Sequence, residues 1–115
     1  MKHEPLNLMA PADGAVLPQP FMGRWTFMWD PVPGTENYHI IVVGARAVIP
    51  LVDNITNSTR IVFPESPGRG GYITEYNRYN WRWRVRAQDV DGRWGPWSET
   101  STFDVAPMGR PETGR

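Results

Sequence analysis

The chain has no cysteine. Disulfides therefore add nothing to its stability, and its redox compartment is left open. It has a single lysine, Lys2, against eleven arginines, and two histidines, His3 and His39. Formal net charge is zero, which removes the general electrostatic argument for nucleic acid or membrane as a partner. No stretch approaches the ~20 apolar residues of a membrane span, and no N-terminal apolar run has signal-peptide length. The four serines, Ser58, Ser66, Ser98 and Ser101, lack a nucleophile-elbow setting. No His, Cys or carboxylate spacing matches a zinc site. These absences leave little for catalysis, and neither metal nor cofactor is expected.

What the chain does have is punctuation. Twelve prolines and eleven glycines are spread along 115 residues, the pattern of many short strands. Such a chain makes one domain and can bury roughly 65% of its unfolded surface without staples. The clearest segment is 78–105, which reads as two long strands joined by a tight turn. Trp81, Trp83, Val85 and Ala87 alternate with Arg82, Arg84 and Arg86, so one face enters a core and the other does not. Asp89-Val90-Asp91-Gly92 supplies the Asp-Gly hairpin signal. The chain then returns through Trp94-Gly95-Pro96-Trp97-Ser98 towards Thr102 and Phe103.

Upstream, residues 5–10 form a first strand, 11–14 a turn and 15–17 a short continuation. Residues 24–30 place Trp25, Phe27 and Trp29 inward and Arg24, Thr26 and Met28 outward. Residues 37–44 turn Tyr38, Ile40 and Val42 inward. Residues 47–52 form a short strand that Pro50 confines to an edge, and 58–63 a strand with Ile61 and Phe63 inward. A long connection spans 64–77. Residues 106–115 read as a polar tail, leaving 1–105, with an N-terminal arm, as the domain.

Phe27-x-Trp29, Tyr38-x-Ile40-x-Val42 and Trp83-Arg84-Val85-Arg86-Ala87 resemble strands B, C and F of a fibronectin type III domain. The likeness covers about residues 5–105, and Pro5-Leu6 with Pro11-x-Asp13-Gly14 is similar to the start of bacterial members. The resemblance implies an all-β, seven-strand immunoglobulin-like sandwich. Two features depart from it. Trp81 stands where the family has its corner tyrosine, so that residue's backbone hydrogen bond must be lost or come from Tyr79 or Tyr76. The 64–77 connection is also longer than the family's.

Trp-Gly-Pro-Trp-Ser resembles the Trp-Ser-x-Trp-Ser box of class I cytokine receptors, with Gly95 in place of the first serine. That likeness implies a structural ladder of Arg82, Arg84 and Arg86 with Trp94 and Trp97, Arg84 lying between the two rings. Each exposed cation–π pair is worth about 0.5–1 kcal/mol. An arginine row can also dock an acidic partner, or simply be solvated charge. The outward positions of 37–44 are His39, Ile41 and Val43, where a wet face would carry polar residues. Apolar area flanked by arginine is either a partner interface or a surface covered by arginine stems or by the 64–77 loop. Tyr72, Tyr76, Trp94 and Trp97 offer flat faces for a glycan, although core or ladder roles explain most tryptophans better. Asp89-x-Asp91-Gly92 lacks the remaining ligands of a calcium loop, and Gly68-Arg69-Gly70 lacks the Asp of an Arg-Gly-Asp triplet.

The expected function is a non-catalytic protein-interaction or structural module. By analogy with fibronectin- and immunoglobulin-like domains on phage particles, it is read as a repeated accessory component of a large assembly such as a virion, on capsid or tail. The alternative is an accessory or carbohydrate-binding module of a larger secreted bacterial enzyme or adhesin. Expected partners are protein subunits, including copies of itself, or a glycan, and not nucleic acid or membrane. The expected location is a virion, the cell surface or the extracellular space. The interface candidates are Ile41, Val43, Arg82, Arg84, Arg86, Tyr72 and Tyr76.

Overall fold

A computed structural model of the chain describes residues 6–66 and 68–108. The strands are β1 (Leu8–Ala10), β2 (Ala15–Leu17), β3 (Trp25–Trp29), β4 (Tyr38–Val43), β5 (Val52–Thr56), β6 (Arg60–Phe63), β7 (Trp81–Ala87) and β8 (Ser101–Val105). They form two sheets, one of order β1-β3-β6 and one of order β2-β8-β7-β4-β5. Every pairing is antiparallel except β2 with β8. The architecture is an all-β sandwich whose first strand is split between the sheets. Residues 15–17 therefore do not continue β1 within its own sheet; β2 crosses to the other sheet and pairs in parallel with β8. Pro11 and the Asp13–Gly14 turn make the crossing, with Gly14 at φ 85°, a conformation that suits glycine.

The core follows from alternation. Trp25, Phe27 and Trp29 of β3 face Trp81, Trp83 and Val85 of β7, with Tyr38, Ile40 and Val42 of β4 and Phe103 and Val105 of β8, all buried. Their rings interlock. Phe27 meets Trp83 at 4.9 Å between centroids, Trp25 meets Phe103 at 5.2 Å, and Trp29 meets Tyr38 at 5.7 Å. Edge-on and tilted contacts of this kind add stabilisation beyond buried area. The indole Nε1 groups of Trp29 and Trp83 are buried with no hydrogen-bond partner in the structure, so these rings serve by volume rather than by polarity.

Three expected elements shift. The strand expected at 47–52 lies at Val52–Thr56. Val48 and Ile49 are instead the most exposed apolar residues of their loop, at 96% and 78%. A turn closed by Ala47 N–H to the Gly44 carbonyl intervenes, and pairing resumes only at Leu51 N–H to the Val42 carbonyl. The edge position itself is observed, because β5 pairs with β4 alone. The return after the hairpin is not one long strand. Gly95 and Ser98 amides bond to Ala87 and Val85, but Pro96 has no amide hydrogen, and a regular ladder starts only at Ser101. On β6, Ile61 and Phe63 are only half-buried, as befits an edge strand.

The corner before β7 is closed by Trp81 itself. Its indole donates to the Asn77 carbonyl at 2.7 Å. Tyr79 and Tyr76 do not supply that bond; their hydroxyls accept from Arg78 and Arg46. The 64–77 connection packs over one end of the sandwich. There the buried Gln19 side chain accepts from Ile73 N–H and donates to the Ile73 and Ala106 carbonyls. The segment expected as a tail from 106 is thus tied down at its first residue. The N-terminal arm before Leu6 and residues 109–115 lie outside the described residues.

Candidate protein-interaction surface

Register sets which side chains share the outer face of the five-stranded sheet. His39 stands opposite Arg86 and Ile55, Ile41 opposite Arg84 and Asp53, and Val43 opposite Arg82. Arg82 stands opposite Thr102 on β8. This face therefore carries three parallel rows: Ile55 and Asp53, then His39, Ile41 and Val43, then the arginines.

The Asp89–Gly92 turn brings Trp94 and Trp97 alongside the arginine row. Asp89 Oδ1 accepts the amides of Asp91 and Arg93, and Gly92 takes a positive φ of 85°. The bridge between Gln88 and Trp94 and the Gly95 amide bond to Ala87 then set the height of the rings. Arg86, not Arg84, lies between the rings, its guanidinium carbon 4.9 Å from the Trp94 centroid and 4.5 Å from that of Trp97. Arg84 contacts Trp97 alone, at 4.4 Å. The return is offset by one arginine from the sequence-based expectation, because the turn and its bridge bring Trp94 beside the end of β7 rather than its middle. Arg82 joins no ring among the described contacts.

Arg86 is further fixed. Its Nε–H donates to His39 Nδ1 at 3.1 Å, and His39 Nε2 lies 2.7 Å from Asp53 Oδ1. A nitrogen that accepts from arginine carries no proton, so the geometry assigns the His39 proton to Nε2, donated to Asp53. The imidazole also packs 5.1 Å from Trp97 and 5.7 Å from Trp94. A histidine oriented by a carboxylate is half of a hydrolytic relay. Here the other nitrogen is taken by arginine instead of a hydroxyl, so the relay has no nucleophile. Ser98 Oγ is engaged with the Val85 amide and the Glu99 carbonyl. Among the described residues no group of three or more His, Asp or Glu side chains is placed to hold a metal ion.

Ile41 and Val43 are half-buried. They wall a hollow of about 220 Å³ with Arg82, Trp83, Arg84 and Thr100. None of the described residues of the 64–77 loop lines this hollow; their bonds run to Arg24, Gln19 and Trp81 and, through Tyr76, to Arg46. Tyr72 and Tyr76 are exposed on that loop, with Arg46 stacked over Tyr76 at 4.2 Å, so the structure does not bring them together with Ile41 and Val43. Trp97 is engaged by two guanidiniums and Trp94 by one, which leaves the pair poorly suited to a sugar platform.

A search of solved structures finds the fold elsewhere. The chain superposes on fibronectin(III)-like modules of Clostridium thermocellum CbhA with a TM-score of 0.57 and 11% identity, over 89% of this chain and 96% of that one. The fold is fibronectin type III-like. At that identity the likeness speaks to the fold alone, and the arginine–tryptophan ladder of this module stands on its own geometry. No protein-family model matches the sequence, and no curated protein does.

Gln19, Asp13 and the His39–Asp53 pair were not singled out from sequence. Asp13 Oδ1 accepts the Thr102 amide at 2.8 Å and the Thr102 hydroxyl at 3.1 Å, bracing β8 beside the crossing. These bonds hold its carboxyl below the ordinary value, the Thr102 amide contributing most. Asp13 belongs to the Pro11-x-Asp13-Gly14 turn, but nothing local in the sequence points to the bonds that these residues make with distant segments.

Proposed function

We propose that this chain is a non-catalytic accessory module that binds protein through the outer face of its five-stranded sheet. One observation carries the reading. Ile41 and Val43 occupy outward positions, no loop among the described residues lines their hollow, and Arg84 and Arg82 flank them. Apolar residues ringed by arginine are characteristic of protein interfaces. The ladder stiffens part of that surface, since Arg84 and Arg86, packed on tryptophan rings, lose less freedom on binding than solvated arginines. The structural neighbour is described as modules of CbhA, which supports a unit within a larger protein. The narrower expectation of a virion component rests on analogy and draws nothing from that likeness. A location on the cell surface or outside the cell belongs to the same proposal.

The test is co-sedimentation with the parent protein or assembly. Wild-type and Ile41→Asp chains are first matched for folding by circular dichroism. Loss of association in Ile41→Asp supports the reading, because a carboxylate there removes the apolar wall and occupies the flanking arginines. Equal association of both would move the contact away from this face.

A further inference from the structure

We infer that the hollow beside Arg82 and Arg84 is a receptor for acidic side chains of a partner protein, presented by an extended segment with carboxylates two residues apart. The inference rests on the docking face proposed above and names the chemistry of its partner.

The ladder supplies the first argument, because it ends open. Trp94, Arg86, Trp97 and Arg84 alternate in contact, and Arg86 is further engaged by His39. Arg84 has a ring on one side only. Beyond it stands Arg82, exposed, with no ring, hydrogen bond or ion pair among the described contacts. At i and i+2 on one strand, the two side chains emerge about 6.6 Å apart. Two like charges at that spacing repel, and an anion between them reverses the sign of the interaction.

The second argument is the composition of the wall. The hollow is lined by Ile41, Val43, Arg82, Trp83, Arg84 and Thr100, with no acidic side chain. The carboxylates nearby are engaged elsewhere: Asp53 with His39, Asp104 with the Asn80 amide, and Asp13 with the Thr102 amide and hydroxyl. Nothing lining the hollow neutralises the pair. Apolar walls lower the local dielectric and strengthen a guanidinium–carboxylate contact. The planar fork of arginine matches a carboxylate in bidentate fashion. Ile41 and Val43 suit the methylene stem of a glutamate, while the Thr100 hydroxyl can donate to a second oxygen. A hollow of about 220 Å³ admits a side chain or two, which points to an extended segment rather than a convex domain.

The experiment uses the whole chain, labelled with ¹⁵N, titrated with the peptide acetyl-Glu-Gly-Glu-Gly-Glu-amide and, separately, with its Gln counterpart. The expected result is saturable amide shifts at Ile41, Val43, Arg82, Arg84 and Thr100 with the Glu peptide alone, weakening as ionic strength rises. Arg82→Gln, which leaves the ladder untouched, should reduce affinity about tenfold, the worth of one charge-assisted contact. Arg60→Gln, on the opposite sheet, should leave it unchanged. No shifts, shifts centred elsewhere, or equal response to the Gln peptide would overturn the inference. So would a stronger response to a single-stranded oligonucleotide of equal charge, which would reassign the site to phosphate. If the Glu peptide fails while Ile41→Asp still abolishes co-sedimentation, the acidic partner falls and the docking face stands. If Ile41→Asp has no effect either, both readings fall.

Discussion

The Trp81 indole donates its N–H to the Asn77 carbonyl, 2.7 Å away and four residues upstream. The bond pins the turn of 3₁₀ helix at Glu75–Asn77 to the start of β7. The same ring stacks on Phe103 at 6.0 Å, so one side chain closes a corner and fills the core. Trp81→Phe retains much of the ring but strands the carbonyl. Stability to chemical denaturation should drop by about 1–3 kcal/mol, with faster amide exchange at 75–80.

Trp29 joins Tyr38 in the core and has no hydrogen-bond partner for its N–H. Trp29→Ala should cost about 3–5 kcal/mol, the usual range for emptying a large aromatic site. Trp29→Phe should cost distinctly less, because no polar contact is lost. Urea midpoints of the two variants decide this; equal losses would contradict a purely volumetric role.

Arg86 should couple to both tryptophans, and Arg84 to Trp97 only. Double-mutant cycles with Arg86→Met and Trp94→Leu should return about 0.5–1 kcal/mol. The Arg84→Met and Trp94→Leu cycle should return nothing measurable. A reversed pattern would restore Arg84 as the intercalated residue. In the intact chain, long-range ¹H–¹⁵N spectra of His39 should show the proton on Nε2.

Gln19→Leu keeps the size of the side chain but leaves the Ile73 amide and the Ile73 and Ala106 carbonyls without partners. With buried unpaired groups costing about 1–3 kcal/mol each, the variant should lose at least about 2 kcal/mol. The Ile73 amide should lose its protection from hydrogen exchange.

Asp13 has its folded-state carboxyl value lowered, first by the Thr102 amide. A lowered value stabilises the fold above the unfolded-state value, and that contribution disappears as pH falls through the carboxylate range. Asp13→Asn should therefore be less stable than wild type at neutral pH and converge with it in acid. A constant difference across the pH range would show that the charge is irrelevant. The exposed Glu75, lowered by its bonds to Arg78, adds a trend of the same sign, and the Asn variant leaves it in place.

Legibility in the sequence tracked how completely each strand is sandwiched. β3 and β4 bury every second residue, as does β7 from Trp81 to Val85, and alternation alone placed them. β5 buries only Val52, so its polar run carried no signal, while the apolar Val48 and Ile49 drew the expected strand a few residues too early. The arginine face was visible as a pattern, but its offset against Trp94 and Trp97 depends on turn geometry across the hairpin. Gln19 was invisible because its partners are backbone groups 54 and 87 residues away.

The parallel pairing of β2 with β8 has a mechanical meaning. Ala15, Val16 and Leu17 sit opposite Phe103, Asp104 and Val105, one strand near each end of the described chain. Once β1 has peeled away, tension between the two ends pulls these strands past one another along their length. Their hydrogen bonds must then yield together, in shear, and cannot open one at a time like a zipper. The Gln19 bond to the Ala106 carbonyl lies on the same load path. Stretched end to end, the chain should yield late and abruptly.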